Sequence, residues 1–271
     1  MNIIIPMAGS GQRFVSAGYA DPKPAISVNG KKIIEYVVDA FSKNNKFLFI
    51  CNEEQSKHEG LIETLKNLNL QSEIISIPAH KKGPVYTVAG AFDKINEDEP
   101  VIVAYCDGTV TLNQEDFEKF IKEKNLDGCL FTHTGFHPHT LSKTKMAFVK
   151  EESGKILEVK EKAHYTDNPQ NEHASSGIYY FKSGKILKDY FLKTIKENIN
   201  YNGEYYITLV YNLLIKDGLN VGFYDTERVL ILGTPEEVKN YEAWSVITKN
   251  ECIRTDEDVI NLYKYWKAFQ K

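Results

Sequence analysis

Cysteine is scarce in this chain and never closely paired. The 271 residues hold four, Cys51, Cys106, Cys129 and Cys252. There is no C-x-x-C and no zinc-ligand spacing, so neither a disulfide framework nor a zinc module is indicated. Cys51, Cys106 and Cys129 sit in or beside apolar runs and read as buried free thiols. No run of about 18 apolar residues occurs, which argues against a membrane-spanning helix. The opening residues lack a signal-peptide pattern, so a cytoplasmic protein with no membrane partner is expected. A dominant charge is missing as well: 33 Lys and Arg against 37 Asp and Glu leave −4, which favours no nucleic-acid partner. Internal repeats, low-complexity tracts and long linkers are absent. The composition that remains, 42% hydrophobic and 26% charged, is that of an ordinary globular chain with room for one large domain or two small ones.

What is present concentrates in the first thirty residues. Ile3-Ile4-Ile5 is a short apolar run that reads as a buried strand. It stops at Ala8-Gly9-Ser10-Gly11-Gln12-Arg13. Two glycines and a serine at a strand end let the backbone pass close to a ligand and leave amides facing an anion. Arg13 adds a planar positive fork suited to phosphate. Pro22-Lys23-Pro24 follows, with one lysine held between two fixed φ angles, and then a tight Asn29-Gly30 turn. No Gly-Lys-Ser/Thr follows the loop and the third glycine of the dinucleotide fingerprint is missing, so this is neither a Walker A loop nor that fingerprint.

The combination of strand, Gly-Ser-Gly-x-Arg-Phe and Pro-Lys-Pro resembles the N-terminal signature of the sugar-phosphate nucleotidyltransferases, the nucleotide-sugar pyrophosphorylases. The variant Ile5-Pro6-Met7-Ala8-Gly9, with Ala17-Gly18-Tyr19 before the prolines, is similar to the branch found in bacterial capsule and surface-polysaccharide clusters. The resemblance implies that Ala8, Gly9, Ser10, Gly11 and Gln12 wrap a nucleoside triphosphate and that Arg13 and Lys23 hold its phosphates.

Along the chain, strand and helix patterns alternate with short connections. Strands are expected at 46–51, 72–77, 101–105 and 128–132, and helices at 53–68, 84–95 and 113–124. A helix face also begins at Lys31, carried by Ile33, Ile34, Val37, Val38 and Phe41. This predicts an α/β fold: a Rossmann-like, mostly parallel mixed sheet with helices on both faces, and ligands at the strand ends. After Thr132 come a polar loop, a hairpin across Ser153-Gly154, a strand over 175–181, helices over 184–197 and 205–216, strands over 221–224 and 228–232, and helices over 235–248 and 256–269. We expect residues 1–132 to form the nucleotide-binding core. Residues 133–271 would complete the same domain as a smaller α+β acceptor-binding elaboration. The stripe Val259, Leu262, Tyr263, Trp266 and Phe269 either closes the fold or leaves a homo-oligomer contact.

Further motifs match the resemblance in order. Lys81-Lys82-Gly83-Pro84 opens a helix of small residues, and a helix start suits an anion. By the resemblance Gly83 lies near the nucleobase and Lys82 or Lys81 near phosphate. Tyr105-Cys106-Asp107-Gly108 puts a carboxylate just past a buried strand; alone it reads equally well as a turn former, and the resemblance makes Asp107 a Mg²⁺ ligand. Glu161-Lys162 resembles the family's E-K-P segment, Ser175-Ser176-Gly177-Ile178-Tyr179 its N-x-G-I-Y strand, and Gly203-Glu204-Tyr205-Tyr206 its G-E-x-Y segment. That implies acceptor contacts from Glu161, Lys162, Ser176, Gly177, Tyr179 and Glu204, with Lys162 on the acceptor phosphate. One departure stands out. Leu230-Ile231-Leu232-Gly233-Thr234-Pro235 has Ile231 where many relatives carry a second metal-binding aspartate. Asp225, six residues earlier, is the candidate substitute. His133, His137 and His139 form the densest histidine cluster, open to three readings: metal, acceptor recognition or a solvated loop.

These readings converge on transfer of a nucleotide from a triphosphate to a phosphorylated sugar or polyol, with Arg13, Lys23, Lys162 and Mg²⁺ neutralising charge. Two rivals remain open at this level: a glycosyltransferase, which would normally need an Asp-x-Asp where Cys106-Asp107-Gly108 stands, and a non-catalytic nucleotide-binding regulator.

Overall fold

The structure, a computed structural model, describes residues 1–141 and 145–249 together with Thr255 and Glu257. The expected helix over 256–269, Glu257 apart, and Cys252 lie outside the described residues.

The chain opens with β1 (Asn2–Pro6), a short helix α1 (Gln12–Ser16) and a 3-10 turn at Lys23–Ala25. A small hairpin follows, β2 (Ser27–Val28) and β3 (Lys31–Lys32), its Asn29-Gly30 turn in the left-handed region at both positions. Then come α2 (Ile33–Val38), β4 (Lys46–Asn52), α3 (Glu59–Asn67), β5 (Gln71–Ile77), α4 (Pro84–Ala89), β6 (Val101–Ala104), β7 (Gly108–Val110), α5 (Gln114–Glu123) and β8 (Gly128–His133). The second half supplies β9 (Phe148–Glu152), β10 (Lys155–Lys160), β11 (His173–Phe181), α6 (Gly184–Lys196), α7 (Ile207–Lys216), β12 (Val221–Asp225), β13 (Val229–Ile231) and α8 (Pro235–Lys249).

One nine-stranded sheet runs through both halves in the order β10-β9-β11-β6-β1-β4-β5, with β8 beside β11 and β12 beside β8. The β6-β1-β4-β5 portion is parallel, with Asn2 opposite both Lys46 and Val101. The long β11 enters antiparallel to β6, Ile178 opposite Ala104. This is the mostly parallel, doubly covered α/β sheet that the alternation of patterns predicts. No helix among the described residues is long and apolar enough to cross a membrane.

Strand alternation divides the core. Ile3 and Ile5 of β1 and Phe47 and Phe49 of β4 face α2, α3 and α5, meeting Val37, Leu61 and Phe117. Ile4, Leu48 and Ile50 face α4, α6 and α7, meeting Val88, Phe191 and Tyr211. Each such side chain contributes about 1.5–3 kcal/mol on burial, which is why β1, short as it is, forms the fixed centre of the sheet. A smaller cluster packs α8 through Val238 against Phe14, Ile26 and Leu232. The parallel strands end together, and the loops after β1 and β6 open on one side of the sheet.

Candidate active site

The loop after β1 is shaped by what holds its carbonyls. Met7 N–H donates to Ile50 O at 2.8 Å. Gln55 then donates from Nε2 to Met7 O at 2.8 Å and to Gly9 O at 3.1 Å. Asn52 Nδ2 donates to Ala8 O at 3.2 Å. The two side chains are buried and lock each other through backbone bonds, Asn52 N–H to Gln55 Oε1 and Gln55 N–H to Asn52 Oδ1, both 2.9 Å. With three successive carbonyls turned inward, the amides of Gly9, Ser10 and Gly11 bond no carbonyl among the described residues, which is the condition of an anion-binding nest. Gly11 sits at φ 59, a conformation glycine takes without strain. Its α-carbon lies against Lys23, whose Cβ is 3.6 Å from where a side chain would begin.

Lys23 leaves the 3-10 turn between its prolines and reaches Asp107 across 84 residues, Nζ to Oδ2 2.8 Å. Burial alone would lower the lysine's pKa; the Asp107 charge and hydrogen bond outweigh it and hold the ammonium charged, above its ordinary range. Beside them Cys106 is buried, and burial pushes its thiol up, the signature of a packing thiol rather than a nucleophile.

Two cavities meet at this ion pair. One, of about 430 Å³, is bordered by Gly9, Ser10, Gly11, Lys81 and Gly83. The other, of about 400 Å³, is bordered by Arg13, Glu161, Lys162, Ser176, Gly177 and Tyr179. Lys23, Asp107, Glu204 and Tyr206 belong to both walls. On the second wall Lys162, at φ 55, donates to Tyr206 Oη at 2.6 Å, and Tyr206 donates in turn to Glu204. Burial, then Glu204, hold the Tyr206 hydroxyl above its ordinary range. Glu161 is also raised by burial, although Thr208 donates to it at 2.5 Å. Gly177, at φ 77 in the irregular part of β11, lies against the Tyr105 ring, 3.3 Å from where its Cβ would stand. A side chain there would displace that ring from between the cavities.

Several expected residues sit elsewhere. Ala8 is buried and lines neither cavity; it supports the loop through its carbonyl. Lys82 turns its ammonium over the Tyr86 ring at 4.3 Å, and it is Lys81 that reaches the first cavity. The start of α4 is a poor anion site: Pro84 has no N–H, and Val85 N–H donates to Tyr205 O. Gly83 borders the cavity, but its tightest contact is with backbone, a Cβ there falling 2.8 Å from Tyr205 N. Asp225 is not a partner for Asp107. Its Oδ1 accepts from Thr132 at 2.6 Å and meets His173 Nδ1 at 2.8 Å, and it borders neither cavity. The acid brought toward Asp107 is Glu237 of α8. Asp107 Oδ2 and Glu237 Oε2 lie 2.8 and 3.3 Å from the point where a Cβ on Gly233 would stand. Ile231 covers Gly108 with its side chain.

Sequence reading missed Asn52, Gln55, Tyr206, Glu237 and His80. His80 borders the first cavity, accepts from Lys82 N–H at Nδ1 and meets Thr87 Oγ1 at Nε2, both 3.1 Å. A signal existed for Glu237: Thr234-x-x-Glu237 is a capping-box spacing, and Glu237 N–H donates to Thr234 Oγ1.

The donor set bears on a divalent metal. Among the described residues no group of three or more His, Cys, Asp or Glu could hold a metal by itself. Magnesium needs only one or two carboxylates when phosphate oxygens and water fill its shell. Asp107, about a quarter exposed and on both walls, fits that requirement.

A doubly covered α/β sheet with two cavities meeting over its strand ends places ligands where such sheets bind them, outside the ends of the parallel strands. The nucleotidyl transferase family model matches residues 2–245, and the chain belongs to that family. It is 28% identical over 229 residues to the bifunctional protein GlmU of Clostridioides difficile, covering 82% of this chain and 46% of the relative. The chain thus spans about half the length of the curated relatives it matches. Among solved structures, a nucleoside-diphosphate-sugar pyrophosphorylase from Vibrio cholerae superposes with a TM-score of 0.71 at 25% identity, covering 89% of this chain and 99% of that one. The inositol-1-phosphate CTP transferase of T. maritima shares the fold, with a TM-score of 0.68 at 17% identity over 90% of this chain and 94% of that one.

Proposed function

We propose that this protein transfers a nucleotidyl group from a nucleoside triphosphate to a phosphorylated sugar or polyol, releasing pyrophosphate. The observation that carries the reading is the Lys23–Asp107 pair on the wall shared by the two cavities. The triphosphate binds in the first cavity, its phosphates on the amides of Gly9 to Gly11 and on Lys23, its base toward Gly83. The acceptor binds in the second, its phosphate near Lys162 and Arg13 and its hydroxyls near Glu161, Ser176, Tyr179 and Glu204. The halves are not cleanly divided between the substrates: Glu204 and Tyr206 of the second half border the nucleotide cavity, and Arg13, expected on the triphosphate, borders the acceptor cavity instead. By its resemblance to the capsule-cluster branch, the product would feed surface-polysaccharide synthesis in the cytoplasm.

An acceptor phosphate oxygen attacks the α-phosphorus in line, the bond to the bridging oxygen breaks, and pyrophosphate leaves. The attacking oxygen is already anionic, so no side chain need take a proton. The protein's work is positioning and charge neutralisation. Lys23 stays cationic because Asp107 opposes its desolvation. Lys162 must exchange its Tyr206 bond for the acceptor phosphate, and Tyr206, already bonded to Glu204, can release it without losing its own partner. Mg²⁺ bound at Asp107 would supply charge compensation on the phosphates. Glycosyl transfer has no comparable support, since a grip on a triphosphate would be idle there.

The test is pyrophosphate release with Mg²⁺, using CTP, UTP, GTP, ATP and dTTP against a panel of sugar and polyol phosphates. Acceptor-dependent release with one base is the expected result. Triphosphate binding in a thermal shift with no turnover for any pair would refute catalysis and favour the binding-only regulator that Ile231 in the aspartate position suggests.

A further inference from the structure

The histidine loop has no part in that scheme, yet it is built inward. His133, His137 and His139 are 1%, 8% and 6% exposed. His133 stands edge-on to both other rings, which stack on each other. His133 Nδ1 lies 3.0 Å from Ser176 Oγ, on the acceptor wall, and its Nε2 lies 3.2 Å from His139 Nε2. His137 Nε2 faces Thr134 O at 3.3 Å. Burial holds all three below the ordinary histidine range, so the rings are neutral near pH 7.

Counting hydrogens isolates one atom. Only one hydrogen fits between the two Nε2 atoms. If His139 supplies it, His133 carries its hydrogen on Nδ1 and donates to Ser176. If His133 supplies it, Ser176 donates to His133 and His139 carries its hydrogen on Nδ1. In both cases His139 Nδ1 is buried with no partner among the described residues, an expensive state for a polar nitrogen. His133 and His139 also border a cavity of about 440 Å³, well within the size of small-molecule sites. Lys145, Met146 and Lys162 belong to its wall and to the acceptor cavity's wall alike. Phe148, His164 and Ala174 complete the part that matters here.

We infer that this cavity is a second compartment of the acceptor site, taking the hydroxyl- or amide-bearing body of an acceptor larger than one hexose phosphate. The inference rests on the nucleotidyl-transfer reading above. Lys162 at the border keeps the phosphate in the first compartment, beside Lys23 and Asp107. The imidazoles are neutral and His139 Nδ1 is closed to solvent, so the polar partners the wall offers an acceptor body are the hydroxyls of Thr134 and Thr140, which pair with a hydroxyl or amide. Met146 and Phe148 supply apolar faces suited to the carbon side of a sugar ring.

Two variants fill the compartment without touching the Lys23–Asp107 pair: Ala174→Leu, from β11, and His164→Trp, from an exposed loop that tolerates bulk if the first fails to fold. The probes are glycerol 3-phosphate, glucose 1-phosphate, a heptose 1-phosphate and maltose 1-phosphate, each with the triphosphate the enzyme prefers. The expected result is a kcat/KM at least tenfold higher for the heptose or maltose ester than for the glucose ester. That advantage should fall at least tenfold in either folded variant through acceptor KM, with triphosphate KM moving less than twofold. Turnover in which glucose 1-phosphate is best, or in which neither variant alters acceptor KM, overturns the compartment and leaves nucleotidyl transfer standing. If no pair turns over, that reading fails, and calorimetry with the same esters decides the compartment separately. Binding of a larger ester that is weakened tenfold in the variants sustains it; equal binding, or none to the wild type, overturns it.

Discussion

Below pH 6.5 an unfolded chain takes up a proton at each histidine, whereas folding holds His133 at about 2 and His139 at about 3. Burial is the main cause for both. The neighbouring imidazoles add to it, and Asp225 opposes it at His133. A folded pKa below the unfolded one means that the unfolded state binds more protons, so stability rises with pH. The contribution is complete above about pH 6.5 and is lost as the pH falls. Each ring loses about 1.4 kcal/mol per pH unit once below that point, so about 2 kcal/mol between pH 7.5 and 5, and about 4 kcal/mol for the pair. Against a total stability of about 5–15 kcal/mol, that is a large fraction.

Other groups modify this sum without reversing it. His80 and His137 are also depressed and add to the loss. His173 is raised, chiefly by its hydrogen bond to Asp225, so its contribution is present at low pH and fades as the pH rises. Asp225 is depressed and stays ionised in both states across this range. The assay is urea denaturation at pH 5, 6 and 7.5 for the wild type and for His133→Gln/His139→Gln, whose amides hydrogen-bond but do not titrate. The wild type should lose about 4 kcal/mol more than the variant between pH 7.5 and 5. Parallel losses in the two proteins would mean that the rings titrate freely, and would refute the buried neutral pair.

Gln55→Leu strips the donors from Met7 O and Gly9 O; it should cost about 2–4 kcal/mol in urea and raise triphosphate KM at least about fivefold, and an unchanged KM would free the loop from this staple. Gly83→Ala meets both a φ of 83 and the Tyr205 backbone, and should destabilise by about 1–3 kcal/mol or more in thermal unfolding. Lys23→Ala should lower kcat/KM at least about tenfold with an unchanged circular dichroism spectrum; near wild-type turnover would remove Lys23 from the site. Asp107→Asn should abolish Mg²⁺-dependent pyrophosphate release, and full activity in that variant would move the metal elsewhere.

The central strands β1, β4 and β6 were legible because each is a continuous apolar run, the pattern of a strand buried on both faces. Helix limits were less so, for reasons tied to single residues. The helix expected over 53–68 begins only at Glu59. Asn52 accepts from the Glu54 and Gln55 amides and folds 55–57 into a 3-10 turn, after which His58 Nδ1 caps Leu61 N–H at 3.1 Å. The helix expected over 84–95 ends at Ala89, since Gly90 follows and packs on Ile77, and a separate 3-10 turn covers Phe92–Lys94. β7 carries no strand signal of its own. It exists because β13, brought back from far along the chain, pairs Leu230 with Thr109.

The site divides along the same line. Gly11, Lys23 and Asp107 could be read because their immediate neighbours fix them: a glycine at a left-handed position, a lysine between prolines, an acid at the end of a buried strand. Gln55 could not, because its partners stand 46 and 48 residues away. The metal question shows what spacing leaves out. Counting along the chain from Ile231 selects Asp225, yet β12 carries Asp225 to Thr132 and His173, while Leu232 N–H donates to Asp107 O at 2.7 Å and draws the following turn over the strand end. That turn brings Gly233, with no side chain, between Asp107 and the Glu237 carboxylate. A residue with a Cβ at 233 would press on the Asp107 oxygen that Lys23 holds. Ile231, meanwhile, lays an apolar side chain on Gly108 where a carboxylate would otherwise add a second negative charge. Asp107 is therefore balanced within the chain by Lys23, and on the function proposed above it would take a metal only with a triphosphate whose phosphates compete for that ammonium.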